Sequence, residues 1–294
     1  MSAGTTASTA LSTRGDRPAY LLLILAGLVL NMFAGNSSLL GFPIGPDRLC
    51  FAAGLGLLLL DRSAWAGLRL HLRPVHVLIT AMLGLTVWSA WAHGSLLDSY
   101  GLYALLDRLA LPYLFFVLAP VIFCTAARRD LLLRVLTLLG VYLGATAFFE
   151  MVGPSSLVFP RYVMDPAVGI QFGRARGPFL GSEAMGLTLV ACGFAAALGA
   201  TRWRGAWRGV GVIAVLLCSL GALLTLTRSI WLGGIVGAVL ACSLDRRLRR
   251  WLPALAAGLA LALALALFLV PGLRESVSER AGTQRSLDDR QNTN

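Results

Sequence analysis

Arg228 stands in an unusual setting, because it is the one charged residue between positions 209 and 244. An arginine at mid-bilayer costs about 2.5–3.5 kcal/mol on insertion scales, so this position needs a reason. Thr225, Thr227 and Ser229 surround it. A guanidinium fork beside hydroxyl donors is suited to bind a phosphate or diphosphate anion. Snorkelling of the side chain to the lipid headgroups is the alternative interpretation.

A second group of candidate residues lies about 50 positions earlier, in the segment GRARG at 173–177. Arg174 and Arg176 are predicted to share an anion site with Arg228. Glu183 follows closely and is predicted to orient one of these arginines through a charge-assisted hydrogen bond. Glu150 is interpreted as interfacial, with activation of an acceptor hydroxyl as the alternative.

Other kinds of chemistry find little support in the sequence. The three histidines are scattered, and none of the five cysteines belongs to a C-x-x-C pair. The chain contains no phosphate-binding P-loop, no G-x-S-x-G elbow and no H-E-x-x-H pair. We therefore expect no metal site and no cofactor.

Membrane-spanning helices are the elements that must position the candidate residues. Of the 294 residues, 57% are hydrophobic and 13% charged, whereas a soluble domain carries about a quarter charged residues. The net charge of +11 comes from arginines in short loops between apolar runs, so no nucleic-acid partner is expected. Apolar runs predict an all-α, polytopic transmembrane bundle of about nine spans. They lie near 19–35, 46–60, 75–92, 104–124, 132–153, 178–200, 209–226, 229–244 and 252–271.

The arginines predict an orientation for this bundle. With the N-terminus in the cytoplasm, the inside segments hold 15 of the 25 arginines and four of the 14 acidic residues. All five inside segments are then basic, as the positive-inside rule requires. Residues 1–18 become a disordered cytoplasmic tail, 19–271 the transmembrane domain, and 272–294 the start of an outside loop. The GRARG segment and Arg228 both fall outside.

These outside segments resemble a known family. The sequence GRARGPFLGSE at 173–183 resembles the "R-x-x-G-x-F, small-polar, then helix" passage of the O-antigen ligase and polymerase family. A T-x-S-R hairpin follows one span later in that family, and TLTRS at 225–229 is similar to it, with Thr227 for the usual Ser. The tail at 278–290 resembles the start of the family's large outside loop. The resemblance covers about residues 170–294, and the order and spacing of the motifs make the set more specific than each alone.

The family resemblance implies a reaction. Its members transfer a glycan from a polyprenyl diphosphate donor to an acceptor glycan or glycolipid, at the outer face of the cytoplasmic membrane. They use neither a metal nor a nucleotide sugar, and the polyprenyl tail lies in lipid between spans. By this resemblance Arg228 is the main diphosphate contact, assisted by Arg176 (or Arg174) and Arg290, which stabilise the leaving group as negative charge develops.

Family members are longer than this chain. Their outside loop continues, contributes a functionally important histidine and is followed by further spans. We therefore expect this sequence to be an N-terminal portion with impaired transfer activity. A transporter or permease, and a non-catalytic subunit of a polysaccharide assembly complex, are the alternative hypotheses.

Overall fold

The computed structural model describes residues 18–34, 36–41, 45–65, 74–96, 98, 101, 105, 109–244, 249, 260 and 264. All regular secondary structure in these ranges is helical, with short 3-10 turns between the longer α-helices. The α-helices of 12 or more residues are α1 Ala19–Leu30, α2 Pro46–Leu60, α3 Pro74–Ala92, α4 Leu111–Ile122, α5 Ala126–Met151, α6 Ser182–Arg202, α7 Ala206–Leu224 and α8 Arg228–Leu244.

The all-α class is confirmed for the described part of the chain. Helices α1 to α8 overlap the first eight predicted spans, whereas the ninth, near 252–271, lies largely outside the described residues. Four of them, α3, α5, α6 and α7, are long and apolar enough to cross a bilayer. These four helices indicate a membrane protein, while the count of nine spans and the orientation stay predictions.

The chain divides into two compact units, which are described separately. The smaller comprises Met1–Ile24 and Ala52–Arg129. Its helix α3 has no buried residue over its whole length, as expected of an apolar helix surrounded by lipid. In the same unit the Arg128 guanidinium donates a hydrogen bond of 2.9 Å to the Tyr20 hydroxyl.

The larger unit comprises Leu25–Phe51 and Asp130–Asn294, and it holds the core that positions the candidate site. Leu143, Met185, Leu189 and Leu224 are fully buried there, contributed by α5, α6 and α7. Gly144 lets two backbones approach, because a Cβ atom at this position would lie 2.7 Å from the carbonyl carbon of Leu217. Small residues at such crossings are how helices pack closely in membranes.

A polar and aromatic cluster fixes the other end of α6. The Arg134 guanidinium pairs with the Asp130 carboxylate at 2.8 Å and lies 4.7 Å from the ring centre of Trp207. The Trp203 indole N–H donates to the same carboxylate at 2.5 Å. These contacts tie the start of α5 to the residues between α6 and α7, at the end of α6 away from Ser182.

Candidate functional site

The structure joins the two segments that carry the candidate residues. The backbone N–H of Ala175 donates to the carbonyl of Leu224 at 3.1 Å. The hydroxyls of Ser182 and Thr227 lie 3.1 Å apart and are both buried. The GRARG segment and the TLTRS hairpin therefore form one continuous structure, as a shared site requires.

Two helix N-termini meet at this junction. Ser182 is the first residue of α6, and Thr227 directly precedes Arg228, the first residue of α8. The N-terminal end of a helix carries unpaired N–H groups and a partial positive charge. Two such ends within hydrogen-bonding reach attract an anion more than either alone. The position of Arg228 at this junction adds a full positive charge.

Backbone strain is concentrated in the same place. Gln171, Leu180 and Leu226 have φ values of +61°, +54° and +51°, the left-handed region that side chains other than glycine seldom adopt. Each such residue costs about 1–2 kcal/mol, and strain of this kind gathers at functional sites. The side-chain oxygen of Gln171 also accepts hydrogen bonds from the hydroxyl and the N–H of Ser182. The strained positions thus lie in the segments that meet at the junction of Ser182 and Thr227.

Arg176 corrects one of our predictions. Its side chain is fully buried, and its guanidinium donates to the backbone carbonyls of Val168 (2.5 Å), Val163 (2.9 Å) and Asp165 (2.6 Å). A guanidinium enclosed in this way has no face left for a diphosphate. Arg176 instead holds the loop between α5 and α6 around itself, because three separate points of that loop converge on one cation.

Glu150, at the end of α5, completes the enclosure of Arg176. Its carboxylate accepts hydrogen bonds from the N–H groups of Arg176 (3.1 Å) and Gly177 (2.9 Å). The carboxylate also lies 3.8 Å from the Arg176 Nε atom, which makes no hydrogen bond to a described residue. Both backbone N–H groups would otherwise be buried and unsatisfied. This role could not be predicted from the sequence, because a lone acid at a helix end resembles an interfacial residue.

The threonine hydroxyls also differ from the prediction. Thr225 is fully buried and donates to the carbonyl of Ala222 at 2.7 Å. Thr227 donates to the carbonyl of Thr225 at 3.0 Å. These hydroxyls shape the hairpin from within and do not face a ligand. Ser229 is exposed, so its hydroxyl alone among the three lies where an anion could reach it.

Three further predicted site residues are exposed or half-buried in the described chain. Arg228 is exposed and Arg174 is half-buried. Glu183 is exposed and makes no ion pair with a described residue, so the predicted bond to an arginine is absent from this part of the chain. An acidic residue in the first turn of α6 instead complements the positive helix end. Arg290 lies outside the described residues.

Burial shifts the pKa of two groups in the loop. Removal from water lowers the pKa of Arg176, and this is opposed by the nearby carboxylates of Glu150 and Asp165. Burial also raises the pKa of Tyr162 to about 12. Its hydroxyl therefore stays protonated and donates to the carbonyl of Pro178 at 3.0 Å. Both effects belong to the architecture of the loop, whereas an anion site depends on the exposed Arg228.

An apolar cavity of about 380 Å³ adjoins the junction. It lies between α6, α7 and α8, and its lining on α8 runs from Ile230 to Cys242. Twelve residues of helix span about 18 Å, so the cavity is a long slot. Small residues such as Gly193, Ala222 and Gly234 line the cavity, and their short side chains leave the space that forms it. A slot of this shape suits a hydrocarbon chain.

Comparisons with known proteins assign no function to this site. No protein-family model matches the chain, and neither the curated proteins nor the solved structures yield a match. Among the described residues, no group of three or more His, Cys, Asp or Glu side chains is placed to hold a metal ion. The family resemblance therefore rests on the sequence motifs alone.

Proposed function

We propose that this chain binds a polyprenyl-diphosphate-linked glycan at the junction of α6 and α8, in the cytoplasmic membrane, and belongs to the O-antigen ligase type of glycan transferase. The single observation that carries the proposal is the meeting of two helix N-termini beside Arg228, at 3.1 Å between Ser182 and Thr227. That arrangement favours an anion. The adjoining apolar slot supports an anion that carries a long hydrocarbon chain.

The proposed reaction follows from this placement. The diphosphate lies against Arg228 and the exposed Ser229, with Arg174 nearby on the joined segment and the polyprenyl chain in the slot. An acceptor hydroxyl attacks the anomeric carbon, and the bond from that carbon to the diphosphate oxygen breaks. The hydroxyl proton passes to water, and the polyprenyl diphosphate leaves as an anion. Donors aimed at the leaving oxygens stabilise the charge that develops on them.

Within this proposal the residues have different roles. Arg228 contacts the diphosphate, and Arg174 assists it. Arg176 and Glu150 hold the loop that presents Arg174, and Thr225 and Thr227 shape the hairpin that presents Arg228. Arg290 as a further diphosphate contact, and the acceptor glycan or glycolipid, belong to the proposal through the family resemblance alone.

Binding of undecaprenyl diphosphate to the purified chain in nanodiscs tests the proposal directly. We expect Arg228→Gln to weaken binding by tenfold or more, because a charge-assisted hydrogen bond contributes about 1.5–3 kcal/mol. Arg161→Gln is the matched control, since Arg161 is an exposed arginine of the neighbouring loop. Undecaprenol, which lacks the diphosphate, should bind both variants equally.

Other results would favour the alternatives. Equal binding by Arg228→Gln and Arg161→Gln would remove the anion site from this junction. Tight binding without any glycan transfer, in a complex with the assembly machinery, would indicate a non-catalytic subunit. Uptake of a small solute into proteoliposomes without a lipid-linked glycan would indicate a transporter.

A further inference from the structure

The loop that follows α5 folds back along that helix. The Tyr142 hydroxyl donates a hydrogen bond of 2.6 Å to the carbonyl of Phe159. Tyr142 lies nine residues before Met151, where α5 ends, which corresponds to about 13 Å along the axis. Even with the length of the tyrosine side chain, Phe159 is placed beside the last turns of α5, not beyond its end.

Side chains alternate between two faces in this returning segment. Val158 is 1% exposed and Pro160 is buried, whereas Leu157 and Phe159 are 58% and 60% exposed. The backbone is extended at Val158 and Pro160, which sends successive side chains to opposite sides. One face of the segment therefore packs on the protein. The other face presents the side chains of Leu157 and Phe159 outward, beside the last turns of the apolar helix α5.

The backbone of the segment is suited to an environment with little water. The N–H of Leu157 donates to the carbonyl of Pro154 at 3.0 Å, and the N–H of Val158 to the carbonyl of Ser155 at 3.2 Å. Pro160 has no N–H to satisfy, and the Phe159 carbonyl is taken by Tyr142. Unsatisfied backbone groups are what excludes irregular chain from lipid, and these bonds satisfy two N–H groups and one carbonyl of the segment.

A later part of the same loop has a different character. Asp165, Pro166 and Ala167 are exposed, and the Asp165 carboxylate accepts a hydrogen bond from the N–H of Ala167. A charged, tightly turned segment of this kind belongs in water. The loop thus has an apolar part, tied to α5 through Tyr142, and a polar part, held by Arg176 through the carbonyls of Asp165 and Val168.

We infer that residues 157–159 insert into the lipid at the end of the membrane where α5 finishes, with Leu157 and Phe159 among the acyl chains. The partner is the lipid surface itself. Insertion removes two large apolar side chains from water, which the hydrophobic effect favours, and it anchors the loop that carries Arg174 and Arg176. The inference stands on the fold-back and does not depend on the proposed reaction.

Photolabelling of the unaltered protein tests this inference without any substitution. The full chain is placed in vesicles that contain a lipid carrying a diazirine in its acyl chain, and the labelled peptides are mapped by mass spectrometry. We expect label on residues 155–160 and little on residues 165–167. Labelling of the two segments to the same extent, or of 165–167 alone, would overturn the inference.

Spin labels measure the depth independently. Leu157→Cys and Phe159→Cys are compared with Ala167→Cys, each in a background whose five native cysteines are replaced by alanine. At the first two positions we expect collisions with oxygen, which dissolves in lipid, to exceed those with a water-soluble nickel chelate. Ala167→Cys should show the reverse. The same preference at all three positions would contradict the inference.

Discussion

At the residue scale, Arg176 and Arg228 show how one residue type serves two purposes. Arg176 is fully buried and donates to three backbone carbonyls, so its charge organises a loop. Arg228 is exposed at the start of a helix, beside the junction of Ser182 and Thr227, and its contact with a diphosphate is our proposal. The observed difference between the two side chains is burial, which the local sequence does not reveal.

Arg176→Gln should destabilise the protein strongly. Breaking a buried charged pair costs about 3–5 kcal/mol, because the partner groups stay buried without compensation, and here Val163, Asp165 and Val168 would also lose a donor to their carbonyls. Chemical unfolding in detergent, followed by circular dichroism, measures the loss. Arg161→Gln, at an exposed site, should change the free energy of unfolding by less than about 0.5 kcal/mol. A similar small change in Arg176→Gln would contradict the buried role.

Part of this candidate site could be predicted from the sequence. The lone charge at Arg228 and the GRARG segment pointed to the two regions that the fold joins. The sequence could not distinguish Arg174 from Arg176, two positions apart in the same motif, because enclosure by the carbonyls of a folded loop is a long-range effect. For the same reason Glu150 could not be recognised as the group that caps two buried N–H groups.

At the element scale, apolar runs located the helices well. The run at 209–226 corresponds to α7 at Ala206–Leu224, and the run at 229–244 to α8 at Arg228–Leu244. Their separation by a hairpin at Thr225–Thr227 follows from the single charge between two runs of near-spanning length. The closeness of α5 to α7 had no comparable signal, since glycines are common in any membrane helix.

Gly144→Ala should disturb the crossing of α5 and α7. The new Cβ atom would lie 2.7 Å from the Leu217 carbonyl carbon and 2.8 Å from its oxygen, and a backbone cannot move aside as a flexible side chain can. We expect a loss of about 1–3 kcal/mol, as for other overpacked cores, seen as a lower midpoint of thermal unfolding. Gly209→Ala is the control, because nothing lies within 4 Å of its added Cβ and alanine favours helix. Equal midpoints for the two variants would show that the helices are not in close contact.

At the scale of the whole molecule, the length of α6 sets the distance between two groups of arginines. Its 21 residues span about 31 Å, close to the thickness of a bilayer's hydrocarbon core. We therefore expect the junction beside Ser182 and the arginines Arg202 and Arg204 to lie at opposite membrane surfaces. The division between a basic inner face and a ligand-binding outer face stays a prediction.

Labelling from each side of the membrane checks that division. Ala167→Cys and Arg204→Cys, both at exposed positions, are introduced separately into the cysteine-free background and treated with a membrane-impermeant maleimide. Intact spheroplasts should label Ala167→Cys, and inside-out vesicles should label Arg204→Cys. Modification of both variants from one side would mean that α6 does not cross the bilayer.

The junction between Ser182 and Thr227 also has a consequence for how each molecule is made. The two residues are 45 positions apart in the chain, and a ribosome adds about 5–20 residues per second. The loop around Arg176 is therefore translated several seconds before the hairpin that completes it. During that interval the nascent chain holds α6 without its partner, so the site is finished only when α7 and the beginning of α8 have left the ribosome and entered the membrane.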